Sequence, residues 1–352
     1  TIEADGAIHF VGIRDWTSGF FPGSLWYLYE LSNDEKWKEE AERTTKWLAP
    51  IQYYTGNHDV GFMLNCSYGN GYRLTKNEDY SRILINGAES LCSRYDSIAG
   101  SIKSWDWGKS RDGHKWQFPV IIDNMMNLDL LFTASKLSGN NWYKEVAIAH
   151  ANSTMNNHFR DDFSSYHVVD YDTISGDVRG KYTFQGYSNE SSWARGQAWG
   201  LYGFTSCARE TGDSKYLKMA EKIADYIINH PSLPDDVVPL WDYHVEDPDY
   251  VPDWIDRLPK LEESWRDASA AAVTSSALFE LGRLTNNCNY TEFATKLLYS
   301  LGNSYTSTHN DYFILEQSVG NLPKPDEINA PLNYADYYFL EALLRFKNHF
   351  NK

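Results

Sequence analysis

Five heptapeptides constrain the fold of this chain more than any other feature: LSNDEKW (31–37), LTKNEDY (74–80), LSGNNWY (137–143), ETGDSKY (210–216) and LTNNCNY (284–290). Each ends in Trp or Tyr, preceded by a cluster of short polar residues. Such clusters can end one helix and cap the next, because their side chains satisfy backbone groups that helix termini leave unpaired. The segments that follow contain Ala and carry apolar residues three or four apart, as in YLKMAEKIADYII (216–228), the period of an amphipathic helix. The pattern predicts helical hairpins with short turns. Intervals of 43, 63, 73 and 74 residues are too irregular for a solenoid of equal repeats but suit hairpins carrying variable loops. With a helix expected around YADYYFLEALLRF (334–346), the chain makes about six hairpins. Closed in a ring, they bury one another's apolar faces without leaving an end. The expected fold is all-α, a toroid forming a single domain over residues 1–352.

Strand signals are few. YHVVDYD (166–172) alternates weakly and is expected to pair with KYTFQGY (181–187) across TISGDVRG, giving at most one small β-hairpin. The Pro- and Asp-rich stretch 231–254 reads as a long loop, and long ordered loops in compact helical domains commonly carry function.

The formal net charge of −16 argues against nucleic acid or an anionic membrane surface as partner, since both need a cationic footprint. An anionic small ligand remains compatible with it, because one or two arginines in a cleft can hold a carboxylate. No apolar run approaches the length of a membrane span, and the opening TIEADGAIHF does not read as a signal peptide. Cys66, Cys92, Cys207 and Cys288 are widely separated, with no CxxC spacing, so no metal centre is expected and disulfides cannot be read. Asn-x-Ser/Thr sequons at Asn65, Asn152, Asn189 and Asn289 read as chance. The 13 Trp, 25 Tyr and 16 Phe fit either an aromatic core or a cleft for flat-faced ligands such as sugars.

Two acids stand in apolar company. Asp59 in HDVGFML (58–64) and Asp123 in FPVIIDNMMNL (118–128) each adjoin residues that reduce solvation, and a desolvated carboxyl holds its proton towards neutrality, as a general acid must. Both also suit a helix N-cap. A denser cluster is FQGYSNESSWARGQAWGLYGF (184–204), which gathers Gln185, Trp193, Arg195, Gln197 and Trp199. Arg195 and Trp199 lie four apart, on one helix face, offering a fork for a carboxylate and a face for a ring. The alternative is a core role for the tryptophans, with Arg195 paired to Glu190 or another structural acid.

Taken together, DWTSGFFPGSLWYLYE (15–30), HDVGF, IIDNMMN, SSYHVVDYD and SWARGQAWGLYGF resemble glycoside hydrolase family 88, the unsaturated glucuronyl hydrolases, from about residue 10 to the last helix. The resemblance implies an (α/α)6 barrel with no metal or organic cofactor. It implies removal of a 4,5-unsaturated uronic acid from the non-reducing end of lyase-generated oligosaccharides. Matched by motif, Asp123 corresponds to the catalytic acid and base, and Asp59 to the second essential aspartate, which holds the uronate and influences its partner's charge. Trp16 matches a stacking residue; His58, His167, Gln185, Arg195 and Trp199 match substrate contacts. Phe184 stands where some members have His, and EQSVGNLPKPDEINAPLNYADYY (316–338) lacks the Ser/Lys pattern associated with sulfated substrates. A family 105 unsaturated rhamnogalacturonyl hydrolase and a non-catalytic sugar-binding toroid are the alternatives, with the SWARGQAWGLYGF block and the retained aspartate pair favouring family 88. A periplasmic or secreted setting is expected over a cytoplasmic one.

Overall fold

The computed structural model describes residues 1–2, 6–252, 264–309, 312–324 and 326–350. The end of the 231–254 stretch therefore lies outside the described residues, and residues 231–252 form the expected loop, without helix.

Helical hairpins follow one another along the chain. Helix α1 (Phe20–Ser32) pairs with α2 (Glu35–Thr45). Helices α3 (Val60–Leu64) and α4 (Asn70–Thr75), joined through the π-helical turn Asn65–Gly69, pair with α5 (Glu78–Cys92). A 3-10 segment, Ile122–Asn127, runs into α6 (Leu128–Ser138), which pairs with α7 (Asn141–Asn157). Helices α8 (Ala194–Thr211) and α9 (Ser214–Asn229), then α10 (Ala268–Thr285) and α11 (Cys288–Ser304), complete the pairs. The last helix, α12 (Asn333–Phe350), packs between α10 and α1 and closes the ring. The first helix of each pair lies inside. Six inner segments thus form the barrel, and among the described residues α12 has no outer partner.

All five heptapeptides build the same link. Their third residue takes the left-handed conformation: Asn33, Lys76, Gly139, Gly212 and Asn286 have φ of 60°, 58°, 72°, 68° and 55°. The fourth, Asp34, Asn77, Asn140, Asp213 or Asn287, caps the next helix by accepting the backbone N–H two residues on. The Ser or Thr at the second position accepts the N–H of that cap residue. The closing aromatic then zips the outer layer: the hydroxyls of Tyr143, Tyr216 and Tyr290 donate to Glu89, Asn152 and Asp225 on the preceding outer helix.

Burial separates the layers. Residues Ala194 to Ala208 of α8 and Ala268 to Gly282 of α10 are buried throughout, and their many Ala, Gly and Ser residues permit close approach to neighbours on every side. Gly61 shows the tolerance: a Cβ there would lie 2.5 Å from the Cα of Asn127, so only Gly lets α3 meet the segment that carries Asp123.

Strand content exceeds the single hairpin expected. Among the described residues, seven short strands make three small antiparallel sheets: β1 (Tyr95–Asp96) with β2 (Ser101–Ile102); β3 (Pro119–Ile121) with β4 (Val168–Tyr171) and β5 (Val178–Tyr182); and β6 (Ser318–Asn321) with β7 (Asp326–Ala330). The expected partner of β4 begins earlier, at Val178, and β3 takes its other edge. Its apolar run PVI had no period to separate strand from helix. This sheet delivers both Asp123, two residues after β3, and His167, immediately before β4. No described helix is long and apolar enough to cross a membrane.

Candidate active site

Asp59 occupies the N-cap position of α3, yet its carboxyl caps nothing. Asp123 lies one residue inside its 3-10 segment, whose N-cap is Ile121. Capping therefore accounts for neither acid. Both are 8% exposed. Burial pushes Asp123 up to about 7, against the lowering influence of Arg195 and of nearby N–H groups. Burial raises Asp59 well above the usual range as well, reinforced by the negative charge of Asp123 and of Asp15. Two close carboxyls resist ionising together.

His167 is fixed from behind. Its Nδ1 accepts the backbone N–H groups of Phe184 and Gln185 at 3.0 and 3.1 Å, which places the ring proton on Nε2, 3.6 Å from Asp123 Oδ2. Burial, with Arg111 and Arg195 nearby, lowers its pKa well below the ordinary value. It is a neutral donor facing the acid. His58, also fully buried and lowered to about 3, sits behind Asp59 with Nε2 3.2 Å from Oδ1; its Nδ1 lies 3.5 Å from Ser104 Oγ, which accepts the Ile121 N–H. His58 thus meets Asp59 from inside the protein, and as a substrate contact it would have to act through that carboxyl.

The rings form a floor around the acids. Trp16 packs on Tyr334 (4.8 Å between centroids) and Phe62 (5.5 Å), and Phe62 meets the fully buried Trp199 at 5.3 Å. Trp199 Nε1–H lies beside Asp123. Among the described residues this N–H, His167 Nε2, Asp123 Oδ2 and the Tyr334 hydroxyl are buried without a hydrogen-bond partner. Such groups are costly in isolation and point to a polar ligand. Gln185 places its side-chain amide on Gly320 O at 3.2 Å.

Arg195 departs from expectation. Its Nη1 donates to Asp267 Oδ2 at 3.0 Å and to Val319 O, its Nη2 to Gly320 O at 2.6 Å. The fork expected to receive a substrate carboxylate is filled by an ion pair and by strand β6. The structural acid is Asp267; Glu190 instead lies 3.5 Å from Arg160. Trp193 packs at a tilt against His167, 4.8 Å between ring centroids. Gln197 is spent on the backbone of Ser165 and Phe163.

An aromatic wall stands over His167 that sequence reasoning missed. Trp105 approaches the His167 ring edge-on at 6.4 Å and stacks flat on Trp107 at 5.3 Å, with Phe184 against both. The WDWG run in a Gly-rich loop was the available signal. Tyr334, buried in an aromatic helix, offered none. No cluster of potential metal ligands occurs among the described residues.

No family model matches the chain. It is 45% identical over 349 residues to the unsaturated glucuronyl hydrolase of Formosa agariphila, spanning 98% of this chain and 83% of that protein. The chain belongs to the unsaturated glucuronyl hydrolase family, glycoside hydrolase family 88. The unsaturated glucuronyl hydrolase of Bacillus sp. is 31% identical over 94% of this chain and 86% of its own length. A solved unsaturated glucuronyl hydrolase described as specific for heparin superposes with a TM-score of 0.91 at 47% identity, spanning 100% of this chain and 91% of that one. As a family 88 glycoside hydrolase the protein is an enzyme, and its helical ring is the (α/α)6 barrel.

Proposed function

We propose that the protein removes a 4,5-unsaturated uronic acid from the non-reducing end of lyase-generated oligosaccharides by hydrating the double bond, with Asp123 as acid and then base. The observation that carries the reading is one buried carboxyl held near neutrality, with a neutral His167 donor 3.6 Å away. The substrate's C4=C5 bond is a vinyl ether. Asp123 protonates C4, and the ring oxygen stabilises the oxocarbenium ion at C5. The resulting carboxylate is stabilised by His167 Nε2–H and by the positive charge of Arg195. It then accepts a proton from the water that adds at C5. The hemiketal opens, and the aglycone leaves without further help from the protein.

Asp59, kept protonated by burial and by its neighbour's charge, hydrogen-bonds the ring hydroxyls. Trp16 offers a face to the sugar. The donors of Trp199 and Tyr334 that lack protein partners receive its polar groups. Because Arg195 is committed to Asp267 and β6, it supports the site through its charge and through the strand it holds. An ordinary glycosidase would instead use two carboxyls to protonate the leaving oxygen and attack the anomeric carbon.

Saturated glucuronides of the same linkage should be inert, whereas unsaturated substrates should lose their ultraviolet absorbance as they turn over. In deuterated water the product should gain deuterium at C4; in heavy-oxygen water quenched early, label should appear at C5. Label at the anomeric carbon with none at C4 would overturn the mechanism.

A further inference from the structure

We infer that Arg94, two residues beyond the end of α5, is the positioning residue of Asp59: its guanidinium fork fastens the irregular segment that carries this acid to residues 103–106, which are bonded to β3, and so fixes where the second carboxyl stands relative to Asp123. The inference rests on the function proposed above, in which Asp59 holds the ring hydroxyls, and adds a residue that acts only through another.

Asp59 ends a stretch without regular structure. Residues 54–59 form neither helix nor strand, and α3, which follows, is five residues long. The stretch closes on itself where Asn57 Oδ1 accepts the Asp59 N–H at 3.0 Å. Such a turn sets the local shape of the backbone but not its place against a distant strand. A carboxyl that must meet the same sugar as Asp123 needs that place fixed, since misplacement by about 1 Å can cost a hundredfold in rate.

Arg94 supplies the tie. Its side chain is 6% exposed. Nη1 donates to Thr55 O, four residues before Asp59, and Nε donates to Lys103 O at 2.8 Å. Nη1 and Nη2 also take the two carboxylate oxygens of Asp106, each at 3.1 Å. The Lys103 N–H returns to Arg94 O at 3.0 Å, so backbone and side chain of Arg94 grip the same residue. Ser104 carries the frame onward: its N–H donates to Pro119 O at 2.9 Å and its Oγ accepts the Ile121 N–H at 3.0 Å, at the two ends of β3. The same Oγ lies 3.5 Å from His58 Nδ1. One bonded path thus runs from Thr55 through Arg94 and Ser104 to the strand that delivers Asp123. A planar fork can make these bonds at once, whereas an ammonium is a point charge on a flexible stem. The charge of Arg94 draws Asp59 down against its burial and helps to keep His58 neutral; Asp123 is drawn down by Arg195 instead.

The test compares Arg94→Gln and Arg94→Lys with wild type on an unsaturated disaccharide, each alone and combined with Asp59→Asn. Both single variants should lose about ten- to a hundredfold in kcat/KM, the Lys variant included, because the fork and not the charge is required. The alkaline limb near pH 7 should stay in place. Each double variant should fall within about twofold of Asp59→Asn alone, as residues acting through one group do not add. Asp106→Asn, at a carboxyl 59% exposed, weakens one arm of the clamp without emptying a buried site; it should lose about two- to fivefold and nothing more once Asp59 is replaced, and it decides the matter if the Arg94 variants fail to fold. Wild-type kcat/KM in Arg94→Lys, a displaced alkaline limb, or losses that multiply with Asp59→Asn would overturn the assignment. In an Asp123→Asn background, calorimetric titration with the same disaccharide repeats the cycle without turnover. A cycle that fails to add there, beside a wild type that cleaves no unsaturated disaccharide, would sink the proposed reaction and leave the positioning role standing. Turnover with independent losses would do the reverse.

Discussion

Asp123 and Asp59 share a floor but differ in what surrounds the proton. Asp123 has a neutral histidine donor in front and a buried guanidinium that lowers it, so it can release a proton and take it back near pH 7. Asp59 is held well above the usual carboxylate range by burial and by the charges of Asp123 and Asp15, which outweigh the lowering pull of Arg94. Asp123→Asn should therefore cut kcat to below about a tenth of wild type, in the range by which acid–base groups act, with an unchanged helical circular dichroism spectrum. In the free enzyme the acid must be protonated at the start. Its value of about 7 predicts that kcat/KM holds below pH 7 and falls about tenfold per unit above it. Arg195 lowers that value, so Arg195→Gln should move the alkaline limb upward, while Arg195→Lys, which keeps the charge, should leave it in place. A pH profile of the two variants checks both directions.

The recurring link is where local sequence dictates an element most directly. Its third residue needs a left-handed backbone, which Gly adopts freely and Asn tolerates, but at one link the residue is Lys76 at φ 58°. A side chain with Cβ in this region costs about 1 kcal/mol. Lys76→Gly should recover part of that and raise the unfolding midpoint, whereas Gly139→Lys, at φ 72°, should lower it. Equal midpoints for the two variants in thermal unfolding would remove the backbone explanation. The link also explains why the repeat was visible at all: four of its seven positions have separate physical jobs, as back-bonding hydroxyl, left-handed residue, cap and inter-helix ring.

Across the whole barrel, charge is buried on the inner helices away from the acids. Glu280 on α10 receives two bonds from Arg209 of α8 at 2.9 and 3.0 Å and lies 3.2 Å from Arg345 of α12; Arg209 also reaches Asp129 of α6. Four inner helices are cross-braced by this network. The arginines hold the Glu280 carboxyl below its ordinary range although burial opposes them. A lowered carboxylate contributes stability that is present above its unfolded value and lost as pH falls through the folded one. Glu280→Gln removes the charge-assisted bonds of the half-buried Arg209 and Arg345, which keep Asp129, Glu210 and Glu341 as counter-charges, and should cost about 2 kcal/mol. It should also flatten the loss of stability on acidification. Chemical denaturation at neutral and acid pH reads both, and a variant as stable as wild type would show the network to be neutral.

Local chemistry determined the hairpins, their links and the two acids in apolar flanks, because capping, left-handed turns and the helical period act over a few residues. Matching motifs named the remaining site residues, and the fold brings Trp16, His58, His167, Gln185, Arg195 and Trp199 around the pair. What these side chains do was settled by partners far away in sequence. Arg195 meets Asp267 and β6 only once the ring has closed. His167 becomes a neutral donor because the Phe184 and Gln185 backbone turns towards it. Trp105, with Trp107 stacked on it, reaches the His167 ring because a loop between α5 and α6 is anchored on Asp170. Hydrogen bonding and desolvation depend on which surfaces meet, and that is decided by tertiary packing, which no local pattern encodes.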